Sequence, residues 1–156
     1  MSNDKLNLQS VKISLDSKVI LDDVNLKIDT GEIVSLMGSS ASGKTSLIRS
    51  IAGFHNISSG VIQIDGQIVD DSIRRSDVAM RNVGVIFQDL ALFPHLTVRE
   101  NICFGLNNID SAQQQNRAKK LEDLLDIENI TNRYTNQISG GQKQRVAIAR
   151  ALAPKP

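Results

Sequence analysis

The chain has 156 residues, enough for one domain or at most two, and at this length roughly two-thirds of the unfolded surface can be buried. Its 18 basic and 17 acidic residues leave a net charge of +1, so no overall basic field would draw in nucleic acid or a membrane surface. The single cysteine, Cys103, excludes an internal disulfide and a thiolate zinc site and fits a reducing compartment. The opening Met1-Ser2-Asn3-Asp4-Lys5 carries no apolar run of a secretory leader, and no stretch approaches the roughly 20 apolar residues that span a bilayer. Strands come first. Val11, Ile13 and Leu15 alternate with polar residues, and Val19-Ile20-Leu21 with Val24, Leu26 and Ile28 continue the pattern. After the turn Thr30-Gly31-Glu32, the apolar run Ile33-Val34-Ser35-Leu36-Met37 suits a strand buried on both faces. A helix follows with Leu47, Ile48, Ile51 and Ala52 on one face and Gly53 as its stop. Asp65-Gly66 between Val61–Ile64 and Gln67–Val69 is a strong hairpin signal, and Val83-Gly84-Val85-Ile86-Phe87 reads as another buried strand.

Beyond Pro94 the pattern becomes helical. Thr97-Val98-Arg99-Glu100 is a capping box that opens a helix to about Phe104. Residues 111–126 set Ala118, Leu121, Leu124 and Leu125 on one face, and a last helix runs from about Gly141 to Leu152. The expected architecture is α/β: a small antiparallel portion, a P-loop core of mixed sheet over about residues 1–95, and a helical subdomain over about 96–150. Cys103 falls inside a helix as a small core residue. His55 and His95 read as surface or structural residues.

Two glycine-rich segments carry the chemistry. Gly38-Ser39-Ser40-Ala41-Ser42-Gly43-Lys44-Thr45 fits G-x-x-x-x-G-K-[ST], with a strand expected before it and a helix after it. In this pattern successive backbone N–H groups face inward as an anion nest, and the helix start adds its positive end. Lys44 would reach the β- and γ-phosphates, and the Thr45 hydroxyl would coordinate Mg²⁺. The second segment, Ser139-Gly140-Gly141-Gln142, sets a capping serine and two glycines before a helix, again an N–H-rich start suited to an anion.

With these two segments in place, the chain resembles the nucleotide-binding domain of an ATP-binding cassette transporter. Residues 38–45 match the Walker A loop. Ile138-Ser139-Gly140-Gly141-Gln142 matches the family signature LSGGQ, and Val85-Ile86-Phe87-Gln88-Asp89 matches the Q-loop. The run Leu92-Phe93-Pro94-His95-Leu96-Thr97-Val98 with Glu100-Asn101 is similar to the importer branch for maltose, polyamine, ferric iron and sulfate. The resemblance covers residues 8–156. It implies an ATP-binding subunit that binds and hydrolyses ATP with Mg²⁺ to energise solute import through transmembrane permease subunits. Such a subunit is cytoplasmic and peripheral on the inner face of the cell membrane. Gln88 would contact Mg²⁺ and the lytic water, with Lys44 and Gln88 the catalytic groups and Thr45 and Gln88 the Mg²⁺ ligands. Ser139, Gly140, Gly141 and Gln142 would bind ATP held by a second subunit, in a head-to-tail homodimer or with a paired ATPase subunit.

Three positions depart from the family pattern. Ala41 stands where a glycine is usual, and its methyl would be costly at positive φ. No aromatic precedes Phe54, so the adenine-stacking position near Leu15 lacks its ring, which would weaken binding by about 1 kcal/mol. The family places the Walker B strand, with its Mg²⁺-associated Asp and catalytic Glu, just past the segment Arg150–Pro156. No four-residue apolar run followed by Asp-Glu occurs among the 156 residues, so the cassette is expected to be C-terminally incomplete and this chain alone inactive in hydrolysis. The rival readings are a non-catalytic fragment and a soluble P-loop kinase or GTPase. The latter has no use for the signature or the Q-loop.

Overall fold

The computed structural model describes residues 4–106 and 109–156. Met1, Ser2 and Asn3, read above for a leader, lie outside the described residues. The described residues group into two units, 1–83 and 84–156.

In the first unit, β1 (Asp4–Leu15) and β2 (Lys18–Asp29) form a long antiparallel hairpin. Its tight turn, Asp16 and Ser17, has positive φ at both central residues, the twist that a two-residue hairpin loop needs. Strands β3 (Ser59–Ile64) and β4 (Gln67–Asp70) form a second hairpin through Asp65-Gly66, as expected, with φ of 51° and 73°. The sheet order is β2-β1-β3-β4, all antiparallel. Strict alternation would put Leu8 and Val11 on opposite faces, yet both are buried. A bulge resolves this: Ser10 takes φ 45°, the register shifts between Leu8 and Val11, and the Ser10 N–H donates to Asn25 Oδ1 at 2.8 Å. Gly60, at φ 92°, passes so close to the bulge that a Cβ there would lie 2.6 Å from the Gln9 carbonyl oxygen. Leu8, Val11, Ile13, Ile57, Ile62 and Val69 then pack with Leu47 of α1 (Lys44–Ala52) as this unit's core. Ile48, expected on that face, is half exposed at 49%.

Two expected strands do not form. Residues 33–37 join no ladder, with Ile33 98% and Met37 87% exposed. Residues 83–87 likewise form no strand among the described residues. The expected mixed sheet is therefore a four-stranded antiparallel one. Apolar runs mark segments that bury well between neighbours, but a strand exists only when its N–H and C=O groups meet a partner. No described segment pairs with either run.

The second unit is helical. Its α2 (Val98–Cys103) opens on the expected capping box. The Glu100 N–H donates to Thr97 Oγ1, and the Thr97 N–H donates to Glu100 Oε2 at 2.7 Å. That second bond holds the Glu100 carboxyl below the usual carboxylate range. Helices α3 (Ser111–Leu124) and α4 (Gly140–Leu152) pack with α2 around Val98, Ile102, Leu121, Ile127, Val146 and Ala149. Cys103 packs half-buried against this core, and burial pushes its thiol up. On α3 the expected face needs correction: Ala118 and Leu121 are buried, but Leu124 is 71% exposed. At about 100° per residue Leu124 lies about 120° round the helix from Ala118. Glu122 takes the inward position at 1% exposure.

Candidate functional site

The Walker-type loop ends on α1. Gly43, at φ 89°, is the N-cap, and a Cβ there would strike the Leu21 side chain at 2.8 Å. A glycine is thus required both by conformation and by the close approach of β2. Ser39 O accepts from the Ser42 N–H at 3.3 Å, turning the loop back on itself. Lys44 crosses the loop: its Nζ donates to Gly38 O at 2.8 Å, Ser39 O at 2.6 Å and Ser42 Oγ at 3.2 Å. Ser40 and Thr45 are exposed beside it. The first turn of α1 holds no acidic residue, so its unpaired N–H groups and the lysine amine present one sign of charge. A recess of about 190 Å³ adjoins the loop, lined by Leu21, Leu36, Met37, Ser42 and Lys44.

Ala41 has φ 63°, the conformation in which its methyl is costly. Ala41→Gly is therefore expected to stabilise the first unit by about 0.5–1 kcal/mol, the relieved strain outweighing glycine's extra freedom when unfolded. Urea unfolding checks this, and a destabilised variant would show that the loop does not hold this backbone.

The carboxyl end of α1 is clamped by Arg81, 3% exposed, a residue to which the sequence reading assigned no role. Its Nη1 donates to Ser50 O at 2.8 Å and Ile51 O at 3.1 Å, its Nε donates to Ser76 O at 3.3 Å, and Asp70 Oδ2 lies 3.5 Å from Nη2. A cation over the last carbonyls of a helix complements its dipole.

In the second unit, Gln88 sits exposed in a turn closed by the Leu90 N–H donating to Phe87 O at 2.9 Å. Leu90 and Ala91 follow at φ 62° and 42°. Arg150 of α4 donates from Nη1 to Ala91 O at 2.6 Å and from Nη2 to Leu90 O at 2.9 Å. Its guanidinium lies 5.4 Å from the Phe93 ring centroid. Burial pulls Arg150 below its ordinary pKa. Asn101, fully buried, fastens the next stretch. Its Oδ1 accepts from the Phe93 N–H at 2.9 Å, and its Nδ2 donates to the carbonyls of Phe93, Leu96 and Thr97.

The signature segment begins α4. Ser139 is the N-cap and forms a capping box with Gln142: the Gln142 N–H donates to Ser139 Oγ at 3.3 Å, and the Ser139 N–H donates to Gln142 Oε1 at 2.9 Å. Gly140 and Gly141 are the first two residues of the helix, which was expected to start at about Gly141. Neither has positive φ, and a Cβ on either would meet nothing within 4 Å. No described residue calls for glycine at either position, where each costs up to about 1 kcal/mol relative to alanine. The open surface there is suited to close approach by an outside group.

Among the described residues no cluster of three His, Cys, Asp or Glu is placed to hold a metal, and no helix is long and apolar enough to cross a membrane. The Thr45 hydroxyl, exposed in the first turn of α1, is a neutral oxygen of the kind that suits Mg²⁺ carried in on phosphates rather than a resident ion.

A family model described as ABC transporter matches residues 21–156, and the chain belongs to that family. It is 46% identical over 138 residues to the sulfate/thiosulfate import ATP-binding protein CysA of Synechocystis sp., covering 87% of this chain and 38% of that protein. It is 38% identical over 157 residues to the Fe(3+) ions import ATP-binding protein FbpC of Pasteurella multocida, covering 99% of this chain and 44% of that protein. The chain thus spans less than half the length of these two relatives. Among solved structures it is similar to the dimeric ATP-binding cassette MJ0796 bound to ADP and Pi, with a TM-score of 0.83 and 33% identity over 97% of this chain and 70% of that one. The cbiO1 component of the cbiONQ transporter complex from Clostridium perfringens gives a TM-score of 0.88 at 26% identity, covering 99% of this chain and 63% of that one. The P-loop cassette class and the importer resemblance are both borne out.

Proposed function

We propose that this chain is the nucleotide-binding part of an importer's ATP-binding subunit, which binds and hydrolyses ATP to drive uptake through transmembrane permease partners. The observation that carries the reading is the pair of anion-facing helix starts, one at residues 38–45 and one at 139–142. In the first, the Lys44 amine and the N–H groups opening α1 bind the β- and γ-phosphates. In the second, the open glycines Gly140 and Gly141 let a γ-phosphate held by a second subunit approach the backbone of α4. Two subunits then pair head to tail, each completing the other's site. Mg²⁺ carried with the nucleotide would supply charge neutralisation on the phosphates. In the first unit the Thr45 hydroxyl would be a ligand to the ion, and in the second the Gln88 amide would serve as an Mg²⁺ ligand and orient the attacking water. The phosphate contacts need no particular base. The names of the relatives support an inorganic ion as the solute.

The test is complementation between whole subunits. Ser139→Arg mixed with Lys44→Ala is expected to retain phosphate release above either variant alone, because one shared site keeps both intact halves. Both changes on one subunit, mixed with wild type, leave every mixed pair without an intact site. Equal activity of the mixed pairs in the two experiments would show that the signature does not act in trans.

A further inference from the structure

We propose that Arg150 is a positioning residue that locks the Gln88 loop to the carboxyl end of the signature helix, so that α4 carries the signature at one end and the Gln88 loop at the other. The observations are geometric. The guanidinium fork spans two successive carbonyls, Leu90 O and Ala91 O, at 2.9 and 2.6 Å. Both of these residues are in the left-handed region, at φ 62° and 42°. Non-glycine residues avoid that region, and two in succession persist only where the surroundings hold them. The holding group on this side of the loop is Arg150. On the other side Asn101 fixes Phe93 through both its N–H and its carbonyl. Phe93 also packs its ring near the guanidinium, so that the fork is held in orientation as well as hydrogen-bonded.

The other end of α4 is equally fixed. Ser139 and Gln142 close a capping box there, and the helix between is continuous from Gly140 to Leu152. Eleven residue steps from the Ser139 cap to Arg150 make a strut of about 16 Å. A movement of the Gln88 turn therefore pulls on the helix that presents Ser139, Gly140 and Gly141, and the reverse holds as well. Lysine keeps the charge of arginine, but its single, strongly hydrated ammonium on a flexible stem lacks the rigid planar fork that here reaches the two carbonyls from separate nitrogens, and methionine keeps only the packing. This separates a clamp from a charge or a filler.

The functional half of this inference rests on the nucleotide reading above, while the clamp itself does not. The first experiment is amide hydrogen exchange on the chain without nucleotide, comparing wild type with Arg150→Lys and Arg150→Met. The reporter is the Leu90 amide, which closes the Gln88 turn. The controls are the Asn101 and Lys143 amides, bonded to Thr97 O and Ser139 O. At least tenfold faster exchange at Leu90 in both variants, with the controls unchanged, is the expected result. Unchanged exchange at Leu90, wild-type exchange in Arg150→Lys, or equal acceleration of reporter and controls would overturn the clamp. Should the methionine variant fold poorly, the lysine variant decides. The second experiment measures the Mg²⁺ concentration for half-maximal ATP binding. Arg150→Lys is expected to raise it as Gln88→Ala does, with no further rise in the double variant. Additive effects would show that Arg150 does not act through Gln88. Absence of ATP binding by wild type would count against the nucleotide reading, and the Leu90 amide would still judge the clamp.

Discussion

Replacing Arg99 by methionine is expected to destabilise the helical unit by about 3 kcal/mol, the lower end of what breaking a buried ion pair costs. Glu122 is 1% exposed on α3, and both its carboxylate oxygens accept from the Arg99 guanidinium, Oε1 from Nε at 2.9 Å and Oε2 from Nη2. Without the arginine, a carboxylate is left among Ala118, Leu121 and their neighbours with no other charge-assisted partner recorded among the described residues. The outer edge of Arg99 is 44% exposed, so water replaces part of what is lost, which sets the effect at the low end. Glu122→Gln combined with Arg99→Met should recover part of the loss, because a neutral amide is far cheaper to bury. Urea unfolding with α-helical circular dichroism measures both. A single-variant loss below about 1 kcal/mol would place Arg99 among ordinary surface pairs.

Arg81→Met is expected to cost the first unit about 3–5 kcal/mol, for two reasons that act together. The carbonyls of Ser50, Ile51 and Ser76 each lose a donor, and Asp70, fully buried, loses the nearer of its two cations. What remains at Asp70 is the Ser72 N–H at 3.0 Å and Arg75 Nε at 3.6 Å. The carboxyl end of α1 then frays, and with it the helix whose other end carries Lys44. The expected readout is a lower urea midpoint together with weaker ATP binding, in proportion to the unfolded fraction. Near-normal stability would mean that Asp70 and the α1 carbonyls are satisfied by other groups.

The residues proposed to bind nucleotide were the most legible part of the sequence. The 38–45 loop, the Gln88 turn and the Ser139 cap are local patterns, and each sits on the turn or helix start that its residues demand. The second hairpin was legible for the same reason, since Asp65-Gly66 determines its turn within two residues, whereas the Asp16-Ser17 turn of the first went unread. Residues 33–37 and 83–87 were not, because strand formation depends on a partner elsewhere, and an apolar run does not say whether one is present. The buried polar groups were the other blind spot. Arg81 reaches back 31 residues to Ser50, Arg99 reaches 23 to Glu122, and Arg150 reaches 60 to Leu90. Nothing in a helical or strand period announces such pairs. The one available hint was a charged residue, Glu122, next to Leu121 on the apolar side of α3. The glycines of the signature are a different case: no described residue comes close enough to either to require glycine, which supports the proposed approach of an outside phosphate.

The central claim is that the loop at residues 38–45 holds the phosphates of ATP through Lys44. Its most direct test is calorimetric titration of Mg²⁺-ATP into the wild-type chain and into Lys44→Ala. Lys44 supplies the only positive side chain within the loop, so its loss is expected to weaken binding at least tenfold, about 1.4 kcal/mol. Tripolyphosphate should displace ATP from wild type, since the contacts are to phosphate. Equal affinity in wild type and Lys44→Ala, or ATP that tripolyphosphate cannot displace, would contradict the account.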